Sequence, residues 1–305
     1  MKEELKKLLC IFLILTFVPL VVFILKDTGG KLTVLDSANN KLIKMDEREY
    51  LIGALAYSMP PTFHKEAIKA QAVAIYTNVI ASSLSEKGYA AKINSQKNEG
   101  YIDSDALKEM WGKNFDTYYE KISSAVDEIR GKVVSYNGKL ICAAYHYLCT
   151  GKTESAENVW GQKVPYLTAV ESEGDTFSSE LTSNKKVSIK EVREVFEGAF
   201  DDIFLPKDNS LLFTDFSYSD SGTVLGVTVG NVKLTGQKIR EIFSLASAAF
   251  TVSIDSENVT FNTTGRGHGV GMSLYGADFL ARQGKSFDEI LRYYYKDTDI
   301  MMYVR

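Results

Sequence analysis

The sequence predicts an α+β fold carried behind one N-terminal membrane span. Three observations predict it. Residues 8–25 read LLCIFLILTFVPLVVFIL, 18 residues without a charge, close to the ~20 that cross a bilayer. Beyond them, segments of helical periodicity and segments of period two follow one another without a regular strand–helix–strand repeat. The 305 residues are 45% hydrophobic with only 5 Pro, which supports a sizeable core and excludes a mostly disordered chain.

Lys2, Lys6 and Lys7 precede the apolar stretch, so the positive-inside rule holds the N-terminus in the cytoplasm. No small-x-small cleavage site follows at residues 26–30, which favours an uncleaved anchor over a signal peptide. Pro19 is tolerated in a membrane helix. The expected organisation is a cytoplasmic tail at 1–7, a single-pass anchor at 8–25, a stalk or strand at 26–41 and one extracytoplasmic domain at 42–305. A net charge of -4 argues against nucleic acid as a partner.

Residues 31–45 alternate weakly around Asn39-Asn40, a hairpin pattern. Residues 46–57 carry Tyr50, Leu51, Ala54 and Leu55 at helical spacing, with Asp46 as N-cap and Glu49 three residues later. Met59-Pro60-Pro61 stops that helix. A second helix is expected over 62–84; Ala67, Ala70, Ala72 and Ala74 let neighbours approach closely, and Gln71 in their midst needs hydrogen-bond partners. Shorter helices are expected at 105–110 and 118–129, the latter stopped by Gly131. Residues 132–136 and 140–147 flank Asn137-Gly138, the signature of a type I′ hairpin. A helix at 187–199, strands over 211–232 with a turn at 219–222, a helix at 237–243, strands over 250–261 and helix within 277–295 complete the pass.

Cys10 sits in the span, without the flanking residues of an acylation site. Cys142 and Cys149 are seven residues apart in an apparent strand, hence distant and on opposite faces, and should be free thiols unless the strand turns back. The histidines are His64, His146 and His268. His268 lies in Gly265-Arg266-Gly267-His268-Gly269-Val270-Gly271-Met272-Ser273, a run suited to backbone that turns sharply and approaches something closely. A ligand loop and a tight structural turn both fit it. His146 ends an apolar run before Thr150-Gly151-Lys152-Thr153-Glu154. Cys142, His146 and Cys149, with His268, are conceivable zinc ligands, but their spacings of four and three differ from the paired spacing of structural zinc sites. A hydrogen-bonded histidine fits better, and no metal or cofactor is expected. Glu66, just after His64, lies in the first turn of its helix, where the dipole stabilises a carboxylate. A general acid needs the opposite environment, an apolar pocket.

These stretches together resemble the stage II sporulation protein D family, which shares a domain with amidase enhancers. The family pattern A-x-E-M-P appears as Ala56-Tyr57-Ser58-Met59-Pro60. E-A-L-K-A-Q-A-V-A-A-R-T-Y appears at 66–78 as EAIKAQAVAIYTN. F-H-S-x-S-G-G-x-T-E appears at 145–154, and G-H-G-V-G-M-S-Q-Y-G-A at 267–277. The motifs run in the family's order over roughly residues 42–303. The resemblance implies an extracytoplasmic lytic transglycosylase acting on peptidoglycan glycan strands during engulfment in sporulation. Its partners would be a cell-wall amidase-endopeptidase and a polytopic membrane protein. In that chemistry one carboxylic acid protonates the glycosidic oxygen, then acts as base while the sugar's own 6-hydroxyl attacks.

The departures gather at polar positions. The family's catalytic Glu is Ser58 here, whose hydroxyl cannot act as an acid near neutral pH. The family's Arg is Tyr76, the two Ser after the His are Tyr147 and Cys149, and the Gln near the end is Leu274. The zinc cluster of some relatives falls at 101–111 here, which holds no His or Cys. His146, Thr153, Glu154, His268, Ser273 and Gln71 match the pattern and are the expected substrate-binding set. Glu66 and Glu154 are the matched carboxylates that can stand in as acid. The expectation is therefore a glycan-strand protein of lytic transglycosylase type, or a glycan-binding protein or amidase enhancer that has lost the chemistry.

Overall fold

The computed structural model describes residues 30–85 and 87–304. The expected tail and anchor at 1–25 lie outside the described residues. Among those described, no helix is long and apolar enough to cross a membrane.

The chain opens as expected. β1 (Lys31–Asp36) and β2 (Lys41–Asp46) pair antiparallel around a turn whose Asn40 takes φ 49°. Leu32 and Val34 point into the core, so the packed body already includes this hairpin. Asp46 caps α1 (Glu47–Ser58), accepting from the Glu49 N–H at 3.0 Å. After the Pro-Pro break, the His64 ring accepts from the Glu66 N–H and caps α2 (Lys65–Ser83). α2 is buried along most of its length and touches helices and strands from both ends of the chain. That explains its alanines: Ala67, Ala70, Ala72 and Ala74 are fully covered, and larger side chains would hold those neighbours apart.

β3 (Ala91–Ile93), unforeseen in the sequence, runs parallel to β1. α3 (Ser104–Trp111) and α4 (Phe115–Glu128) follow. β4 (Lys132–Tyr136) turns through Asn137-Gly138 into β5 (Lys139–Leu140). The expected strand over 140–147 does not continue. Asn78 is the reason: its side-chain amide donates to the Ala143 carbonyl and accepts the Ala143 N–H, both at 2.9 Å. The Cys142 N–H goes to the Tyr166 hydroxyl. These bonds replace a strand ladder. β6 (Tyr145–His146) then resumes for two residues. Cys142 is exposed and Cys149 buried, both free.

α5 (Ala156–Trp160) closes the first half. A second body follows. β7 (Thr182–Ser188) leads into α6 (Ile189–Ala199), so the expected helix at 187 begins two residues later, at the Ser188 cap. β8 (Phe213–Tyr218), β9 (Val224–Val229) and β10 (Val232–Leu234) form an antiparallel sheet, and α7 (Gly236–Phe243) packs on it. β11 (Phe250–Ile254) and β12 (Asn258–Thr264) join β7 in a second sheet, order β11-β12-β7. Phe196, Phe213, Phe243, Phe250 and Phe261 pack as one aromatic cluster at its centre.

The chain then returns to the first core. β13 (Met272–Ser273) lies parallel to β6. α8 (Leu274–Arg282) and α9 (Phe287–Tyr294) pack on α2, and β14 (Asp299–Met302) pairs with β4. The result is a mixed α+β structure with two hydrophobic cores.

Candidate functional site

β6 divides the expected site residues. Successive strand residues point to opposite faces, so Tyr145 and His146 look away from each other.

On the Tyr145 side lies the end of α1. The Ser58 hydroxyl donates to the Leu55 carbonyl at 3.2 Å and accepts from Gln71 Nε2 at 3.3 Å. Gln71 also hydrogen-bonds Tyr145. Gln71 Oε1 is buried and, among the described residues, has no donor. Beside this cluster is a cavity of about 250 Å³ walled by Tyr50, Tyr57, Asn78 and Tyr145.

On the other face, His146 and His268 approach with ring centroids 5.9 Å apart. The glycine run makes this possible. Gly267 (φ 117°) passes so close that a Cβ there would lie 2.7 Å from the His146 Cβ, and one at Gly271 (φ 74°) would collide with the Ala144 carbonyl. The two readings of the run therefore meet: it is a tight turn, and what it approaches is the segment 144–154. Its other anchors are a bridge between Leu148 and Arg266 and one between Glu154 and Val270.

The backbone fixes both imidazole tautomers. His146 Nδ1 lies 3.2 Å from the Val270 carbonyl and so carries the proton. His146 Nε2 is then a bare, buried acceptor with no donor among the described residues. His268 Nδ1 accepts the Val270 N–H at 3.0 Å, and its ring also bonds the Tyr145 backbone. Burial, helped by His268, pushes His146 down to about 3. Burial and then the Arg240 cation push His268 down to about 4. Both rings are neutral at pH 7. The half-exposed Trp160 ring stacks obliquely 5.5 Å from His268.

Glu154 is 2% exposed. Its Oε1 accepts from Ser219 Oγ at 2.8 Å and from Ser221 Oγ; its Oε2 accepts from Asn158 Nδ2 at 2.9 Å. Ser219 and Ser221 belong to the second body, so Glu154 clasps the two cores together. Glu154, His268 and Gln237 line a cavity of about 20 Å³, room for one water. Gln237 Nε2 and Arg240 Nε beside it are buried donors without an acceptor among the described residues.

The remaining expected residues have structural partners. Thr153 Oγ1 is tied to the Val170 backbone. Ser273 caps α8 through the Gly276 N–H and donates to Asp175 at 2.5 Å. Glu66 pairs with Lys69 at 2.7 Å and accepts the Phe287 N–H at 2.8 Å, at the start of α9. Among the described residues, no group of three or more His, Cys, Asp or Glu is placed to hold a metal ion.

Sequence reasoning missed Asp175, buried and bonded to Ser172, Ser273 and the Cys149 N–H; burial pushes its carboxyl up. It also missed Trp160, and it read 219–222 only as a turn. Nothing in a single sequence marks a serine turn as the lid on a carboxylate 65 residues earlier.

The family model described as stage II sporulation protein matches residues 36–136. Stage II sporulation protein D of Bacillus subtilis (strain 168) is 34% identical over 282 residues, covering 90% of this chain and 80% of its own length. Its counterpart in Bacillus amyloliquefaciens is 32% identical, with the same coverage. The amidase enhancer of Bacillus subtilis is 26% identical over 83% of this chain but 40% of its own length. The likeness to the first two runs through both cores, the glycine run and the Ala-rich helix alike, and on that ground the chain belongs to the stage II sporulation protein D family.

Proposed function

We propose that this protein engages peptidoglycan glycan strands during sporulation-linked cell-wall remodelling, binding them without cutting. It would be held at the membrane by residues 8–25, with its body outside the cytoplasm and a cell-wall amidase-endopeptidase and a polytopic membrane protein as partners. The name of the first two relatives supports the sporulation setting, and that of the amidase enhancer supports the cell wall.

One observation carries the non-cutting reading: among the described residues, none of the matched carboxylates is left free at the position that needs one. Ser58 stands where the family pattern has Glu, and its hydroxyl is already bonded to Leu55 and Gln71. Glu66 holds Lys69 and the start of α9. Glu154 accepts three hydrogen bonds and is covered. A general acid must reach the glycosidic oxygen with a proton of its own.

A second reading, a lytic transglycosylase using Glu154, is favoured by one feature: Glu154 and His268 line the same small cavity. The test is a digest. The chain is incubated with peptide-stripped glycan strands, and mass spectrometry looks for 1,6-anhydro-N-acetylmuramic acid ends. We expect none, while the protein sediments with insoluble peptidoglycan. Anhydro ends that vanish in Glu154→Gln would establish the second reading instead.

A further inference from the structure

We infer that the body of this protein docks on the bilayer that anchors it, through the exposed end of β14 at Met301-Met302-Tyr303-Val304. The inference rests on the reading of residues 8–25 as a membrane anchor and extends it to a surface outside the matched motifs.

The length of the leash places this surface. Residues 26–29 alone separate Leu25 from Gly30, and so short a segment reaches at most about 18 Å when fully extended. The headgroup layer takes up about 5–8 Å of that reach. Gly30 is fastened to the body: its carbonyl accepts the Glu47 N–H at 2.9 Å, and Lys31 after it pairs with Asp46. Whatever stands beside Gly30 is therefore held close to the lipid. β14 stands there. Glu47, Arg130 and Gly131 line one open hollow of about 560 Å³. The Gly131 carbonyl accepts the Tyr303 N–H at 2.7 Å, and a Cβ on Gly131 would lie 2.9 Å from the Met302 Cε.

The composition of the surface suits the same partner. β14 is the edge of its sheet, order β14-β4-β5. Edge strands are ordinarily guarded by charge or proline. This one runs out through apolar residues: Met301 is 40% exposed, Met302 59% and Val304 86%. Among the described residues, the other large apolar side chains so exposed stand singly along the chain. Clustered apolar exposure marks an interaction site. The half-buried Tyr303 between them has the apolar body and polar tip that bilayer interfaces favour. Charge does not select the lipid: Asp46, Glu47 and Asp127 offset Arg48 and Arg130 around the hollow, and Arg48 is held by Asp127 at 2.7 Å. The partner is thus the boundary between headgroups and acyl chains, entered by apolar burial, and not an anionic headgroup. α1 starts at this face and ends at Ser58, about 18 Å along its axis. Docking holds the Ser58–Gln71 cluster at a fixed height over the bilayer.

The test is fluorescence quenching of the full chain in phosphatidylcholine vesicles. Val304→Cys carries a bimane label, with Cys10→Ala and Cys142→Ser so that no other exposed thiol reacts; Cys149 is buried. The quencher is a lipid with a nitroxide just below its headgroup. We expect the label to be quenched, and to stay quenched when about 20 Gly and Ser residues are inserted after Gly29, which add about 25 Å of mean reach. In that long-leash chain, Met301→Ser/Met302→Ser should lower the docking constant about tenfold or more, and with it the quenching. Adding phosphatidylglycerol should change little. Unfolding curves matching the natural chain would show the fold intact; should the double variant fail to fold, the long-leash comparison carries the test. A label that is not quenched, or that loses its quenching once the leash is lengthened, would overturn docking and leave the anchor standing. A chain that does not float with the vesicles would overturn both.

Discussion

His146 is protonated on Nδ1 by the demand of a carbonyl and bare on Nε2, which meets no donor among the described residues. Charging it would bury a cation, so its titration is a stability term. Unfolded, its pKa is near 6.5; folded, it is depressed to about 3. Stability from a depressed histidine is full above the unfolded value and is lost as pH falls from about 6.5 toward about 3. Going from about pH 7 to about pH 5 should cost about 2 kcal/mol from this ring alone. His146→Asn keeps a donor for Val270 and removes the titration, so urea melts of the two chains should converge as pH falls. Ser58 offers the complementary experiment. Gln71 Oε1 beside it lacks a donor among the described residues, and a protonated carboxylic acid would supply one. Ser58→Glu should therefore be tolerated, with a melting midpoint near that of the natural chain. Anhydro ends from that variant would show that the acid alone is missing. None would mean that Tyr76 and the other changed polar positions matter as well.

Helix ends were the most legible elements, because capping is local. Asp46 was readable as a cap from its spacing to Glu49, and the cap is present. Glu66 was readable as a helix-start carboxylate, but its second partner was not: the Phe287 N–H comes from 221 residues away. Glu66 thus fastens the starts of α2 and α9. Glu66→Ala should cost about 1–2 kcal/mol, the range for a lost cap, and Glu66→Gln, which keeps an acceptor, clearly less. Denaturant unfolding of both separates a structural tie from a catalytic acid, since a catalytic role predicts no such difference in stability. The strand expected over 140–147 failed for the same reason in reverse. Its alternation is real, but Asn78 from α2 had already claimed the backbone at Ala143. Periodicity reports which face is apolar; it does not report where the peptide groups find partners.

At the scale of the whole molecule, the α+β class and the order of the elements followed from periodicity and turn residues. The two-core arrangement did not, because which strands share a sheet is decided by long-range packing. The candidate site was legible as a set of motifs, and the chain's fold parted Ser58 and Gln71 from His146 and His268 across β6 and gave Glu66, Thr153 and Ser273 structural partners. Glu154 joins the cores, so Ser219→Ala/Ser221→Ala, which leaves a buried carboxylate short of donors, should cost about 3 kcal/mol and lower the urea midpoint accordingly. β4 has β5 beside it at once, next along the chain, but finds its other neighbour only at β14, with Ser135 opposite Asp299. A ribosome that has finished residue 264 has made every strand of the second body, yet the first core still lacks β13, α8, α9 and β14. Contacts of such separation are slow to form and leave apolar surface exposed while they wait. The inserted body is positioned to mature early, and the older half of the chain, synthesised first, is the half that must be kept from aggregating until the last helices emerge.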